Sequence, residues 1–320
     1  MNTFKWLLKR EFWEHKGGFF WAPIVIGAII VSITAVSLVF AVTGLRGGME
    51  INGVPVSNLA QIVAPDQKAK FASLLFSMYK GLLVPFTVTL AACIFFFCAG
   101  ALYDERKDRS VLFWKSLPVS DSATVLSKVA IAIGIAPLIA LVIGTITAIL
   151  AELLTMIAAA IAGVNIFGEV LSDPNTYLVP LQMLAMLPIY ALWALPTIGW
   201  VLMISSWARA KPFLWAIGVP LMAGFLVSWA GKMFRIEGDL GWFWQNIIGR
   251  MLTSVVPGSW LIQQGHSLPT EETLRASSAV GEMLAQSLQL LAAPNIWIGA
   301  IAGSAMIYAA IRLRRWRDEG

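Results

Sequence analysis

Six long stretches without a single charged side chain constrain this chain more than any other feature. They run from Gly17 to Leu45, Gly81 to Tyr103, Val129 to Ala151, Pro174 to Ala208, Pro212 to Gly231 and Met283 to Ile311. Each exceeds or matches the roughly 20 apolar residues needed to cross a bilayer core. None shows sustained alternation of polar and apolar residues, so they read as helices rather than barrel strands. The expected fold is an all-α integral membrane protein with six transmembrane helices, near 19–45, 80–103, 126–151, 178–206, 212–232 and 294–312. Composition agrees: 58% of the 320 residues are hydrophobic and only 13% are charged, against about 25% charged in soluble domains. The two cysteines, Cys93 and Cys98, share one apolar run and read as packing residues.

The charges that remain are distributed asymmetrically. With the N-terminus placed in the cytoplasm, fifteen of the 23 basic residues fall on the cytoplasmic side, in the shorter connections. The positive-inside rule then puts both termini in the cytoplasm, and the net charge of +5 suits anionic inner-leaflet lipid rather than nucleic acid. Residues 1–18 carry Phe4, Leu7, Leu8 and Phe12 at helical spacing, with Lys5, Lys9 and Arg10 off that stripe. An amphipathic helix on the inner leaflet is expected there, or a cytoplasmic extension of the first span. The membrane domain would cover 19–312, with a basic cytoplasmic tail over 313–320.

The outer connections differ in character. Arg46 to Lys80 is rich in turn residues, Glu152 to Tyr177 is acidic, and the segment 233–293 is the largest. In that last segment Trp242, Trp244, Ile247, Ile248, Met251 and Leu252 suggest short re-entrant or interfacial helices ending near Pro257-Gly258, because a full span would have to bury Arg250. Prolines at 85, 137, 180, 188, 196 and 220 punctuate the spans. Gly134, Gly144, Gly218 and Gly224 would allow close helix approach or simply reflect ordinary membrane packing.

Catalytic chemistry has little to work with. The spans are nearly free of ionisable groups; Glu152, between two apolar stretches, marks the outer end of the third helix or lines a substrate path. His15 and His266 lack metal-ligand spacing and read as surface residues, so no metal site is expected. The Gly231-Lys232 pair has Leu226 and Met233 where a phosphate-binding loop needs Gly and Ser or Thr. No cofactor is expected on this chain, and if ATP hydrolysis powers it, another polypeptide must supply the ATPase.

The second and third spans are joined by a cytoplasmic loop, 104–125, in which a charged half, Asp104 to Arg109, precedes an apolar half containing Val111, Leu112, Phe113, Trp114 and Leu117. Ser120 or Asp121 would cap the following helix. Such a projection suits a protein groove or an interfacial turn among headgroups. Here Tyr103-Asp104-Glu105-Arg106, Ser110, Leu117-Pro118-Val119-Ser120 and Lys128 resemble the permeases of the type-2 ATP-binding-cassette (ABC) exporter superfamily, and the span count, the N-terminal helix and the large outer segment extend the resemblance over the whole chain. The resemblance implies a bacterial inner-membrane subunit in which two permease chains, identical or different, join two copies of an ABC ATPase that binds ATP and Mg. It implies that Glu105, Arg106, Phe113, Trp114 and Leu117 make coupling contacts to that ATPase, and that the cargo is amphiphilic, lipid-like or peptide. Two other readings stay open. Asp104 and Asp108 have the D-x-x-x-D spacing of magnesium-diphosphate enzymes such as membrane prenyltransferases, and a non-transporting anchor or regulator would share this composition.

Overall fold

The computed structural model of the chain describes residues 3–46, 50–51, 54–55, 81–108, 119–234, 239–263 and 279–316. Apart from a two-residue antiparallel pairing of β1 (Glu50–Ile51) with β2 (Val54–Pro55), the described chain is built from helices. A first helix, α1 (Thr3–Glu14), precedes the six that are long and apolar enough to cross a membrane: α2 (Gly17–Thr43), α3 (Val84–Lys107), α4 (Asp121–Ile161), α7 (Leu187–Trp207), α8 (Pro212–Met233) and α12 (Pro294–Trp316). Between α4 and α7 lie α5 (Phe167–Ser172) and α6 (Asn175–Ala185). Between α8 and α12 lie α9 (residues 240–253), α10 (Ser259–Gln263) and α11 (Ala279–Gln289). The protein is an all-α multi-pass membrane protein. Six crossings return both ends of the chain to one face, called here the terminal face.

Helix α7 is the centre of the bundle. Of its apolar stretch 67% is buried, against 6% in α2 and 17% in α8. The low values are the composition of a lipid-facing surface, where Val25, Ile33, Phe40, Phe225 and Trp229 stand exposed. Helix α12 crosses α7 at two glycines. A Cβ on Gly303 would stand 2.8 Å from that of Leu195, and one on Gly199 would stand 3.2 Å from the Cα of Gly303. Only hydrogen at both positions lets the backbones meet, the small-residue packing that replaces the hydrophobic drive inside a membrane. Of the glycines singled out in the sequence, Gly144 and Gly224 do receive neighbours, from Leu83 and from the Trp244 ring, whereas Gly134 and Gly218 face open space.

Proline chemistry explains most departures from the expected spans. The fourth span, expected as one helix over 178–206, is broken into α6 and α7 just before Pro188. A proline there cannot donate to the Leu184 carbonyl and disfavours helix in the residue before it. Two wide π-helical turns, Gly17–Trp21 and Ile131–Ile135, sit just ahead of Pro23 and Pro137. Each contains the residue four positions before its proline, whose carbonyl would otherwise lose its donor, and the wider i−5 bonds from Ala22 and Ala136 absorb the mismatch.

Helix α4 runs nine residues past Glu152, into the segment read as an acidic loop. Its 41 residues span about 60 Å at about 1.5 Å per residue, twice the roughly 30 Å of a hydrocarbon core. At the end opposite the terminal face Met156 packs against Ile166 and Val170 of the return connection.

Candidate functional site: a buried charge cluster on the terminal face

Helix α1 buries Leu7 and Glu11, with Leu8 and Phe12 half-buried beside them, while Phe4, expected on the same stripe, is exposed. The inward face is thus an apolar stripe that contains one carboxylate. Glu11 is wholly buried, and both of its oxygens accept from the Lys128 ammonium, at 2.9 and 2.8 Å. Lys128 is 2% exposed, two turns into α4.

The same ammonium lies 3.0 Å from Oε1 of Glu105, near the end of α3. Glu105 pairs through its other oxygen with Nη1 of Arg314, and Arg314 Nε donates to Asp121 Oδ1 at 3.1 Å. Arg10 closes the outer side, 3.8 Å from Glu11. Three acids and three bases from α1, α3, α4 and α12 thus form one chain of charges. Removing two opposite charges from water costs several kcal/mol per ion, and the penalty is offset only where geometry and hydrogen bonds are good. Here every core member has a charged partner within 3.1 Å.

Helix ends reinforce the arrangement. Asp121 stands in the first turn of α4 and Arg314 in the last turn of α12, each with the sign that its helix dipole favours. Ser120 supplies the cap of α4, its Oγ accepting from the Ala123 N–H at 3.2 Å. One step away, Ser205 on α7 accepts from the N–H groups of Leu102 and Tyr103, both at 3.1 Å, and donates to the Ala99 carbonyl at 2.7 Å. It holds α3 where that helix loosens ahead of Glu105.

The residues singled out from sequence fare differently. Glu105 lies at the centre of the cluster, 7% exposed, so its carboxylate faces inward. Arg106 donates from Nη2 to the carbonyls of Ser205 and Ala208, at 2.7 and 2.8 Å, and so closes the end of α7. Both were read as ATPase contacts; the bonds described here tie Arg106 to the end of α7 and Glu105 to Lys128 and Arg314. Phe113, Trp114 and Leu117 lie outside the described residues, as does His266. His15 is half-buried rather than on the surface, set edge-on to Phe97 with centroids 4.7 Å apart. Its ring lies near Glu11 and Glu14, within metal-sharing distance, but both Glu11 oxygens are taken by Lys128. Glu152 sits half-buried about 46 Å along α4 from Asp121, remote from the cluster.

Sequence reasoning missed Glu11 and Arg314. Arg314 had been assigned to a basic tail over 313–320, yet α12 continues to Trp316 and buries it. Glu11 did carry a signal: an acid three and four residues from Leu8 and Leu7 on an apolar stripe needs a partner.

Another buried cation lies on the far face. Arg250 was taken to exclude a full span because a span would bury it; packing of α9 against α7 and α12 buries it anyway, to 6% exposure, inside protein rather than lipid. Its guanidinium stacks 4.2 Å from the Trp193 ring centre and donates from Nη1 to the Asn295 carbonyl at 2.7 Å. Nε and Nη2 have no hydrogen-bond acceptor among the described residues, and burial pushes the pKa of the group down. Comparison with known proteins finds no matching family model, no matching curated protein and no matching solved structure.

Proposed function

We propose that this chain is the membrane-spanning permease subunit of an ATP-driven ABC exporter, which couples hydrolysis by a separate ATPase subunit to the outward movement of an amphiphilic, lipid-like or peptide cargo. The observation that carries the reading is the charge cluster itself. It ties the residues on both sides of the 109–118 loop, Glu105 before it and Asp121 after it, to α1 and to the end of α12. A force applied to that loop would be delivered to four helices at once through contacts that leave little slack.

Such a block suits a mechanical input and no covalent chemistry. On this reading two permease chains and two ATPases assemble, the terminal face is cytoplasmic in a bacterial inner membrane, and Phe113, Trp114 and Leu117 dock on the ATPase while Glu105 and Arg106 brace the loop from behind. Closure of the ATPase dimer on ATP then shifts the spans between two arrangements. The basic-residue asymmetry and the motif around Asp104 to Ser120 support the same assignment.

A mild-detergent pull-down of the tagged chain, expressed with its native genomic neighbours, tests it. A stoichiometric ATPase partner with vanadate-sensitive hydrolysis is expected, together with loss of that partner in Trp114→Glu while membrane insertion persists. Recovery of the chain alone, without hydrolysis, would overturn the assignment in favour of an anchor.

A further inference from the structure

The far half of the bundle holds an apolar cavity of about 190 Å³. Phe86 and Leu90 of α3, Ala140 of α4, Met183 of α6, Tyr190 of α7 and Trp260 of α10 contribute to its walls. Three properties define what it can hold. First, its side-chain donors are occupied: Tyr190 Oη donates to the Val255 carbonyl at 3.1 Å, Trp260 Nε1 to Ser287 Oγ at 2.8 Å, and Thr87 Oγ1 to the Val84 carbonyl at 2.8 Å. A water inside would lack the two to four partners it requires. Second, its size exceeds that of engineered apolar cavities of about 150 Å³, which stay dry and admit benzene, but falls below the roughly 300 Å³ at which drug-sized ligand sites begin. Third, Thr87, Leu141, Met183 and Leu187 among its lining residues are only half-buried, so it is open to the surroundings of the helices, from which a chain can enter.

We infer that this cavity is a binding site for a single hydrocarbon chain, the acyl end of a membrane lipid or a comparable amphiphile. Left empty, the lining would forfeit dispersion contacts over its whole inner surface. A chain entering from the bilayer restores them without exposing any polar group. Because chain and lipid are equally apolar, selectivity comes from contact and shape rather than from the hydrophobic effect. The flexible thioethers of Met183, Met186 and Met283 on the lining let the walls adjust to chains of different outline. Glu152 is not among the lining residues. The inference does not rest on the export reading, since it concerns binding to this chain alone.

The test uses the full chain, purified in a maltoside detergent without any ATPase, and palmitic acid bearing a diazirine near its methyl end. Photolabelled peptides are mapped by mass spectrometry across a probe titration, with unlabelled palmitate as competitor. Labelling around Met183, Met186 and Trp260 is expected to saturate and to be competed away, while labelling at exposed Val25, Ile33 and Phe40 of α2 rises in proportion to probe. Ala140→Phe and Met183→Trp, which fill the cavity from different helices, are expected to lose the saturable component and keep the α2 labelling. Proportional, uncompeted labelling of the cavity peptides in the wild type would overturn the site, whether or not either variant folds. So would saturable labelling that survives in a filled variant retaining normal α2 labelling. A failed ATPase pull-down would leave both results standing.

Discussion

The terminal face and the far face each bury strong cations, and they compensate them in opposite ways. Lys128 sits between two carboxylates and Arg314 between two more contacts of the same kind. Arg250 has one carbonyl, one indole face and no carboxylate among the described residues. The first arrangement is a network in which each ion's field is cancelled locally, so losing a member leaves its partners charged and buried. The second is a lone cation with one neutral acceptor and one ring face, so losing it leaves little behind except a gap. The comparison teaches that burial of charge alone does not measure structural importance; the charge left behind does.

Removing Lys128 is therefore the harshest way to break the comparison. Lys128→Ala strands Glu11 and Glu105 together in a buried site, and a loss of about 3–5 kcal/mol is expected for breaking such a network. Denaturant titration in mixed micelles measures it, and limited proteolysis after Arg10 reports whether α1 has come loose. Glu11→Gln should cost less, because Lys128 keeps Glu105 at 3.0 Å. Equal losses in the two variants would show that the cluster does not act through residual charge.

Much of this architecture was legible before the fold was known, and the physics of each success and failure is specific. Spans are legible because apolar length is a one-dimensional property; the amphipathic face of α1 is legible because helical period is local. Pro188 was visible and its consequence underweighted, since a proline in a membrane helix can be either a kink or a break and only tertiary packing decides which. Glu105 was picked out through its motif, but its inward orientation depends on Lys128 and Arg314, which stand 23 and 209 positions away in the chain. Arg250 was read as a barrier to burial because its shelter is made by Trp193 and Gly299, on two other helices. The apolar cavity left no trace at all in the sequence: its lining has the same composition as a lipid-facing surface, and a void is a property of how helices diverge.

Gly299 sharpens the far-face half of the comparison. A Cβ there would lie 2.6 Å from the Arg250 guanidinium carbon, so Gly299→Ala should displace the cation from Trp193 and the Asn295 carbonyl. The expected loss is near the upper end of the roughly 1–3 kcal/mol typical of overpacking. In an Arg250→Met background, where a flexible chain can step aside, the same substitution should cost markedly less, and the resulting double-mutant cycle reads the coupling directly. Additive losses would mean that the glycine serves the α12 backbone rather than the guanidinium.

Helix α7 carries one hydroxyl towards each site, which allows the two faces to be compared on a single element. Ser205→Ala removes the acceptor shared by the Leu102 and Tyr103 N–H groups beside the charge cluster, and leaving buried donors unmet costs about 1–3 kcal/mol. Thr197→Val, on the far side, removes a donor at 2.8 Å from the Arg250 carbonyl, but that carbonyl still accepts from Ser254 Oγ at 2.6 Å. The change keeps the side chain's outline and strands no polar atom, so about 1 kcal/mol or less is expected, the ordinary net value of one hydrogen bond. Paired denaturation curves for the two variants decide the matter. If Thr197→Val proved the more damaging, α9 would depend on α7 more tightly than the terminal-face cluster does, and the order of the two faces would be reversed.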